Sequence, residues 1–316
     1  DWSSDVCSSD LIRVILLLID MCYYVFIILR QYKWLIKRDE GDVVKMKLVF
    51  YGAGNMAQAI FTGIINSNNL DPNDIYLTNK SNEQALKDFA ERLGVNYSYD
   101  DKELLKNADY VFLGTKPHDF EALAERIKDD ITDDNRFISI MAGLSIDYIR
   151  QLLDTNNPLA RIMPNTNAQV GHSVTGISFS NNFGPKSKDE VNELINAFGS
   201  VIEVSEDHLH QVTAITGSGP AFLYHVFEQY VKAGTELGLE RDQVEESIRN
   251  LIIGTSKMIE RSDLSMEQLR KNITSKGGTT QAGLDALSQY DIVSMFEDCL
   301  SSAVNRSVEL SNKESE

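Results

Sequence analysis

The stretch KLVFYGAGNMAQAI, residues 47–60, decides how the rest of this chain is organised. Lys47–Tyr51 is a short apolar run without a helix breaker, which predicts a strand inside a sheet. The run leads into Gly52-x-Gly54-x-x-Ala57, and apolar residues at helical spacing follow. A strand, a glycine turn and a helix in this order are typical of a loop that binds a dinucleotide. A tight strand–helix turn without a ligand is the alternative.

Each small residue of this loop has its own physical task if a dinucleotide binds there. Gly52 lets the chain turn tightly, Gly54 lets the backbone approach a pyrophosphate, and Ala57 lets the helix pack close to the strand. The N–H groups at the start of the helix favour an anion. The candidate coenzyme-binding residues of the loop are Gly52, Gly54, Asn55 and Met56.

The composition limits the partners that this chain can have. Its 316 residues leave room for two domains and a sizeable core. The formal net charge of −17 argues against nucleic acid, because a surface that binds phosphate backbones needs a basic patch. Three scattered cysteines are too few for a disulfide framework or a zinc site. We therefore expect a cytoplasmic protein that binds a small molecule, without a metal ion and without nucleic acid.

Residues 1–45 do not belong with the rest of the chain by composition. The span from Leu11 to Leu29 is apolar and close to bilayer length, which suits a membrane anchor, although it carries Arg13 and Asp20. A signal peptide is disfavoured, because no small-residue cleavage site follows the apolar run. We interpret residues 1–45 as a non-native or misassigned upstream segment, with translation beginning at Met46, and expect no membrane association.

From residue 46 onwards, strands and helices alternate until about residue 205. Strands are predicted at 47–51, 75–78, 109–114, 137–141, 159–163, 174–179 and 201–204. Only helices follow, at 222–237, 244–259, 266–273, 282–287 and 292–310. This order predicts an α/β fold, with a doubly wound Rossmann-type domain at 46–206 and an all-helical domain at 207–316.

Ligands of such a sheet bind beyond the carboxyl ends of its strands. After the second strand there is no acidic residue to bind an unphosphorylated ribose, and Asn79, Lys80 and Ser81 stand there. A cation, an amide and a hydroxyl suit a ribose 2′-phosphate, which favours NADPH over NADH. Ser81 is also predicted to cap the helix that runs through Phe89 and Leu93. The alternative to a phosphate site is a solvated loop that serves only as this helix cap.

Two further loops at this edge are candidates for the nicotinamide half of the coenzyme, although a helix cap or a proline turn would look the same. The residues concerned are Thr115, Lys116, Pro117, Met163 and Asn165. The helical half adds two glycine clusters, at 213–221 and 273–281. The first joins two helices and has Pro220 in a first helical turn. The second opens a helix with hydroxyls and flexible backbone, as an anion site does, although a plain helix–helix turn would also fit.

Five motifs resemble the pyrroline-5-carboxylate reductase family in order and spacing. They are Gly-x-Gly-x-Met at 52–56, Thr-Lys-Pro at 115–117, Arg-x-Met-Pro-Asn-Thr at 161–166, Thr-Ala-x-Thr-Gly-Ser-Gly-Pro-Ala at 213–221 and Leu-x-x-x-Ile-Thr-Ser-x-Gly-Gly-Thr-Thr at 269–280. The resemblance covers residues 46–310, and the last two motifs are highly specific. This sequence has Asn167 and Lys276 where the family usually has proline.

The resemblance implies reduction of L-1-pyrroline-5-carboxylate to L-proline, the last step of proline biosynthesis. Hydride would pass to the C5 imine carbon from NADPH, with NADH as the alternative coenzyme. The residues implied in binding the substrate carboxylate are Ser275, Gly277, Gly278, Thr279 and Thr280, while Thr213 would orient the substrate or relay a proton. The family also implies a homodimer or a larger homo-oligomer, with dimerisation and substrate binding assigned to residues 207–316.

Two other functions are alternatives to the one that this resemblance implies. A β-hydroxyacid dehydrogenase would have a catalytic lysine four residues after the glycine pair of the helical half, where this chain has Leu223. A non-catalytic NADP-binding protein would have a degraded substrate loop, whereas Ser275 and residues 277–280 are present. The histidines show no metal spacing, and none of them is assigned a role.

Overall fold

The computed structural model describes residues 46–67 and 70–314. The predictions made for residues 1–45 therefore lie outside the described residues. Within the described part of the chain, no helix combines the length and the apolar character that a membrane span requires.

An eight-stranded sheet forms the centre of the first part of the chain. Its strands are β1 (Leu48–Tyr51), β2 (Ile75–Thr78), β3 (Asn96–Tyr97), β4 (Tyr110–Leu113), β5 (Arg136–Ser139), β6 (Leu159–Met163), β7 (Ser173–Phe179) and β8 (Gly199–Glu203). Their spatial order is β3-β2-β1-β4-β5-β6-β7-β8, and only the β6–β7 pair is antiparallel. The order of the first six strands is that of a doubly wound nucleotide-binding sheet, so the predicted fold class is confirmed.

Helices cover both faces of this sheet. They are α1 (Asn55–Asn66), α2 (Glu83–Leu93), α3 (Asp101–Leu105), α4 (Phe120–Ile127), α5 (Ile146–Leu152) and α6 (Pro185–Asn196). Because successive side chains of a strand point to opposite faces, Leu48 and Phe50 belong to one core cluster, and Val49 and Tyr51 to the other. The ring of Phe50 stacks on that of Phe112 at 4.2 Å between centroids. The apolar run of β1 is therefore buried from both sides.

Two local predictions differ from the structure. β3 was missed, since it has only two half-buried residues and shows no apolar run. Ser81 does not cap α2, which corrects the expectation above. The cap is Asn82, whose side chain accepts a hydrogen bond from Ala85 N at 3.1 Å. Asn82 directly precedes Glu83, the first residue of the helix, which is the position that an N-cap requires.

The helical part begins on the sheet itself. Helix α7 (Leu209–Val212) lies against β7, and a Cβ atom at Gly176 would be 2.6 Å from Val212 Cγ1. Glycine at this position permits the close approach, because any side chain would push the helix away. This contact is one of those that place the start of the helical part on the sheet.

After α7, residues Thr213–Gly217 form a π-helical turn that joins it to the next helix. The remaining helices are α8 (Gly219–Thr235), α9 (Arg241–Arg261), α10 (Met266–Asn272), α11 (Thr279–Leu287) and α12 (Ile292–Glu314). All five helices predicted from periodicity are present, and Pro220 lies in the first turn of α8 as expected. Their boundaries lie up to four residues from the predicted ones.

These five helices expose much of their apolar surface. Among the described residues, all the exposed large apolar side chains except Tyr99, Val170 and Ile202 lie at or beyond Ile215. Helix α8 has no buried residue. Apolar patches of this extent mark interaction sites, so we expect another protein surface to pack against these helices.

Candidate active site

Three strand ends meet at Gly52. Its φ of +110° lies in a region that only glycine adopts readily, and its N–H donates to Thr78 O at 2.9 Å. A Cβ atom there would be 2.4 Å from Gly114 O. The carboxyl ends of β1, β2 and β4 therefore come together at a point that tolerates no side chain.

The N-terminus of α1 opens beside this junction. Gly54 is its N-cap residue, and a Cβ atom on Gly54 would meet no other atom within 4 Å. The first intrahelical bond runs from Gln58 N to Gly54 O, so the three preceding N–H groups have no helical acceptor. The first turn carries no acidic residue. Free N–H donors, a clear approach and a favourable helix dipole fit the pyrophosphate of a dinucleotide.

The loop after β2 is ordered by residues that the sequence analysis missed. The Asn79 side chain accepts a hydrogen bond from the Tyr99 hydroxyl at 2.6 Å and donates one to Asn82 O at 2.8 Å. Lys80 Nζ contacts Asp119 Oδ1 at 2.6 Å, across the sheet edge. Ser81 is exposed. Both Lys80 and Ser81 thus have side chains within reach of solvent at the predicted ribose site.

The loop after β4 completes this edge. Thr115 is half-buried, and its hydroxyl donates to Met141 Sδ at 3.4 Å. Lys116 is exposed, and Pro117 begins a 3₁₀ turn that ends at Asp119. Since β1 lies between β2 and β4, the sheet brings this loop next to the glycine loop and the loop after β2.

Asn165 connects the sheet edge to the helical part. It is 4% exposed, its Oδ1 accepts a bond from Asn167 N at 3.0 Å, and its Nδ2 donates to Thr216 O at 2.9 Å. Met163 is likewise buried, with 8% exposed. Through this bond to Thr216, Asn165 positions the π-helical turn. A contact between Asn165 and a coenzyme stays a prediction.

An ion pair with a buried arginine supports the same region and was not found from the sequence. Arg161 Nη1 contacts Glu206 Oε1 at 2.6 Å, and the Arg161 side chain is only 6% exposed. The same Glu206 oxygen accepts from Ile146 N at 2.8 Å, at the start of α5. Burial, and after it the charge of Arg161, lowers the pKa of His210. The neighbouring His210 therefore favours its neutral form.

Thr213 lies at the start of the π-helical turn. Ser218 N donates to Thr213 O at 2.8 Å, which closes a ring one residue wider than that of an α-helix. The Thr213 hydroxyl donates to Leu209 O at 2.7 Å. Because the hydroxyl proton is used in this bond, the oxygen can take part in a further hydrogen bond only as an acceptor.

The second glycine cluster forms a turn before α11. Gly277 has a φ of +75°, and Gly278 N donates to Ser275 O at 3.0 Å. The N–H of Gly278 is thus engaged in the turn, and the role of Gly278 in binding the substrate carboxylate stays a prediction. The first intrahelical bond runs from Ala282 N to Gly278 O, so the N–H groups of residues 279–281 remain available. Gln281, which the sequence did not predict, therefore offers a backbone N–H group beside those of Thr279 and Thr280.

The sheet brings together the loops that are predicted to bind the coenzyme, and Asn165 links them to the π-helical turn that contains Thr213. The predicted substrate loop stands apart: within the described residues, neither α10 nor α11 packs extensively against another element. Hydrogen bonds made by residues 274–281 stay within residues 270–285 of the described chain. Among all the residues that the structure describes, no cluster of side chains could hold a metal ion.

Comparison with known proteins identifies the family. A model described as pyrroline-5-carboxylate reductase dimerisation matches residues 206–310, and one described as NADP oxidoreductase, coenzyme F420-dependent, matches residues 47–143. A pyrroline-5-carboxylate reductase of Staphylococcus epidermidis is 90% identical over 271 residues, which are 86% of this chain and 100% of that protein. This chain belongs to the pyrroline-5-carboxylate reductase family. The Staphylococcus aureus enzyme of that name is 86% identical over 269 residues, 85% of this chain and 99% of the relative.

Solved structures of the family have the same fold. A pyrroline-5-carboxylate reductase from Coxiella burnetii gives a TM-score of 0.80 at 34% identity, over 84% of this chain and 99% of that one. The Plasmodium falciparum enzyme, whose structure has NADP bound, gives 0.72 at 28% identity, over 84% of this chain and 98% of that one. The resemblance found in the sequence motifs is therefore confirmed.

Gly54→Ala separates coenzyme binding from folding. The backbone at Gly54 (φ −71°, ψ 171°) suits alanine, and no protein atom is within reach of the new methyl group. We expect unchanged thermal stability and an NADPH dissociation constant raised about tenfold or more, since a hydrogen bond to a charged group contributes about 1.5–3 kcal/mol. Fluorescence titration and thermal unfolding measure the two effects. Gly184→Ala, at the equally open N-cap of α6, is the control and should change neither. An unchanged NADPH affinity in Gly54→Ala would contradict the pyrophosphate site.

Proposed function

We propose that this protein reduces L-1-pyrroline-5-carboxylate to L-proline, the last step of proline biosynthesis, in the cytoplasm. The observation that carries the proposal is a pair of helix N-termini, at α1 and α11, that both offer free N–H groups and carry no acidic residue in the first turn. The reaction needs two anion sites, one for the coenzyme and one for the substrate carboxylate. Relatives up to 90% identical carry the name of this enzyme.

The coenzyme belongs at the edge formed by β1, β2 and β4. When bound, NAD(P)H supplies a hydride from C4 of the nicotinamide to the C5 imine carbon of the substrate. Gly52, Gly54, Asn55 and Met56 form the pyrophosphate loop, and Asn79, Lys80 and Ser81 hold the ribose 2′-phosphate. Thr115, Lys116, Pro117, Met163 and Asn165 shape the nicotinamide side. Lys80 makes NADPH the preferred coenzyme, because it is a cation with 74% of its side chain exposed at the ribose loop.

The substrate carboxylate belongs on the turn before α11. Ser275, Gly277 and Gly278 shape this turn, and the N–H groups and hydroxyls of Thr279 and Thr280 bind the anion. The dipole of the helix favours a negative charge at this end. Lys276 is exposed beside the turn and adds a positive charge to it. The substrate ring offers the protein few other groups to bind, so the carboxylate site also sets the distance between the imine carbon and the hydride donor.

Thr213 orients the imine nitrogen. A threonine hydroxyl is a poor acid, and the proton of this one is engaged by Leu209 O. Its oxygen is free to accept a hydrogen bond from the N–H of a protonated imine, which fixes the face that receives the hydride. The nitrogen takes its proton from water, before or during reduction. Most of the rate acceleration then comes from positioning.

The protein works as a homodimer or a larger homo-oligomer through its helical part. Helices α8 and α9 enclose a groove lined by apolar side chains, including Tyr224, Val231 and Ile253, with charged residues at its rim. A helical surface of a second copy covers such a groove with apolar area, and burial of that area drives the association.

Thr279→Pro tests the substrate anchor. Proline fits the first position of a helix, so α11 is preserved while one N–H donor is lost. Removing a donor to a carboxylate should lower kcat/KM for pyrroline-5-carboxylate about tenfold or more, which corresponds to about 1.5–3 kcal/mol. Thr279→Val removes only the hydroxyl and should have a smaller effect. NADPH oxidation with pyrroline-5-carboxylate gives kcat/KM, and fluorescence titration should show unchanged NADPH affinity.

Met266→Pro is the control for this experiment, because Met266 holds the same first position in α10. It should keep wild-type kinetics. Normal turnover by a dimeric Thr279→Pro enzyme would show that the carboxylate lies elsewhere. A wild-type protein that binds NADPH but does not oxidise it with this substrate would refute the activity itself.

Lys80→Ala tests the coenzyme preference. The wild type should have the higher kcat/KM with NADPH, and the variant should lose about 1 kcal/mol of this preference, because one exposed cation–phosphate contact disappears. Steady-state kinetics with each coenzyme measure the ratio. Lys87→Ala, an exposed lysine on α2 that pairs with Glu91, is the control. A wild-type preference for NADH, or an unchanged ratio in Lys80→Ala, would contradict the phosphate site.

Ile253→Asp tests the oligomer. A charge in an apolar interface costs several kcal/mol, so the dissociation constant of the dimer should rise on the order of 100-fold or more. Size-exclusion chromatography with light scattering over a concentration series measures it. Ile202→Asp is the matched control, since Ile202 is 43% exposed on β8 and Ile253 is 46% exposed on α9. Equal dimer stability in both variants would place the interface elsewhere.

A further inference from the structure

Lys80, the cation of the ribose loop, forms an ion pair with the carboxylate of Asp119. Asp119 ends the 3₁₀ turn after β4, and its Oδ1 contacts Lys80 Nζ at 2.6 Å. The two residues are 39 positions apart in sequence and come from loops on either side of β1. The hydrogen bond from Lys80, ahead of the neighbouring positive charges, lowers the pKa of Asp119, which therefore stays ionised at neutral pH. His118 Nε2 lies 3.7 Å from the other carboxylate oxygen.

We propose that Asp119 sets the coenzyme preference of this protein by competing with the ribose 2′-phosphate for Lys80. This inference rests on the proposed function, in which Lys80 is the cation that binds the phosphate. A carboxylate oxygen and a phosphate oxygen are acceptors of the same kind for an ammonium group. Binding of NADPH must therefore displace Asp119 from Lys80, or share the lysine at the cost of repulsion between two anions.

The same pair favours NADH by comparison. A ribose with a free 2′-hydroxyl brings no second anion, so Lys80 and Asp119 stay paired when it binds. Asp119 thus reduces a preference that Lys80 alone would make larger.

Asp119→Asn is the test, with dissociation constants for NADPH and NADH measured by fluorescence titration of the full-length protein. Releasing an exposed lysine from its partner should lower the NADPH constant about two- to fivefold, and the NADH constant should not fall. Lys80→Ala and the double variant complete the cycle: without Lys80, the Asp119 substitution should leave the ratio of the two constants unchanged. Glu125→Gln is the matched control, because it removes the carboxylate of a 2.7 Å pair with Lys128 at the far end of α4.

Three results would overturn the inference: an unchanged ratio in Asp119→Asn, a higher NADPH constant in that variant, or an equal gain for NADPH in the Lys80→Ala background. The second would mean that the carboxylate organises the loop for the phosphate. The third would mean that its charge acts without Lys80. Because binding is measured without turnover, a protein that shows the expected shifts but reduces no pyrroline-5-carboxylate would refute the proposed function and leave this inference standing.

Discussion

The ion pair between Arg161 and Glu206 fixes where the helical part of this protein starts. It joins strand β6 to the segment just before α7, and Glu206 also accepts a hydrogen bond from the first N–H of α5. A nearly buried charge is costly unless it is paired, so loss of either partner would leave the other uncompensated. Seven residues beyond Glu206, Thr213 lies in the π-helical turn, which Asn165 holds from the sheet side. The reactive region thus depends on polar contacts at the junction, while the apolar cores lie on the two faces of the sheet.

An acidic chain whose proposed coenzyme and substrate are both anions needs local binding groups, because its long-range field opposes both ligands. In the proposed function these are backbone N–H groups at helix starts, supported by single lysines. Lys80 lies at the proposed coenzyme site and Lys276 beside the proposed substrate turn. The first turns of α1 and α11 contain no acidic residue, although the chain has 47 of them. Screening and the helix dipole make such short-range placement sufficient.

The two sites differ in how they are built. The coenzyme side is completed by three strand ends within one chain, with Gly52 at their meeting point. The turn before α11 has little packing against the rest of the described chain, and the helices around it expose their apolar faces. A second copy that covers these faces would order the turn and bury the apolar surface at once. The reductase family model that matches residues 206–310 is described by its dimerisation.

The sequence by itself determined the Rossmann-type sheet, the helix start at Gly54 and the tight turn at Gly52, since these follow from local periodicity and backbone freedom. It also determined the family, through motifs whose spacing is local. Only the tertiary structure decided that Asn82 caps α2, that Asn165 ties sheet to helix, and that the Gly278 N–H closes a turn. It alone paired Lys80 with Asp119 and Arg161 with Glu206, because the partners are 39 and 45 positions apart. Such pairs depend on which strands become neighbours in space, and no local pattern along the chain encodes that.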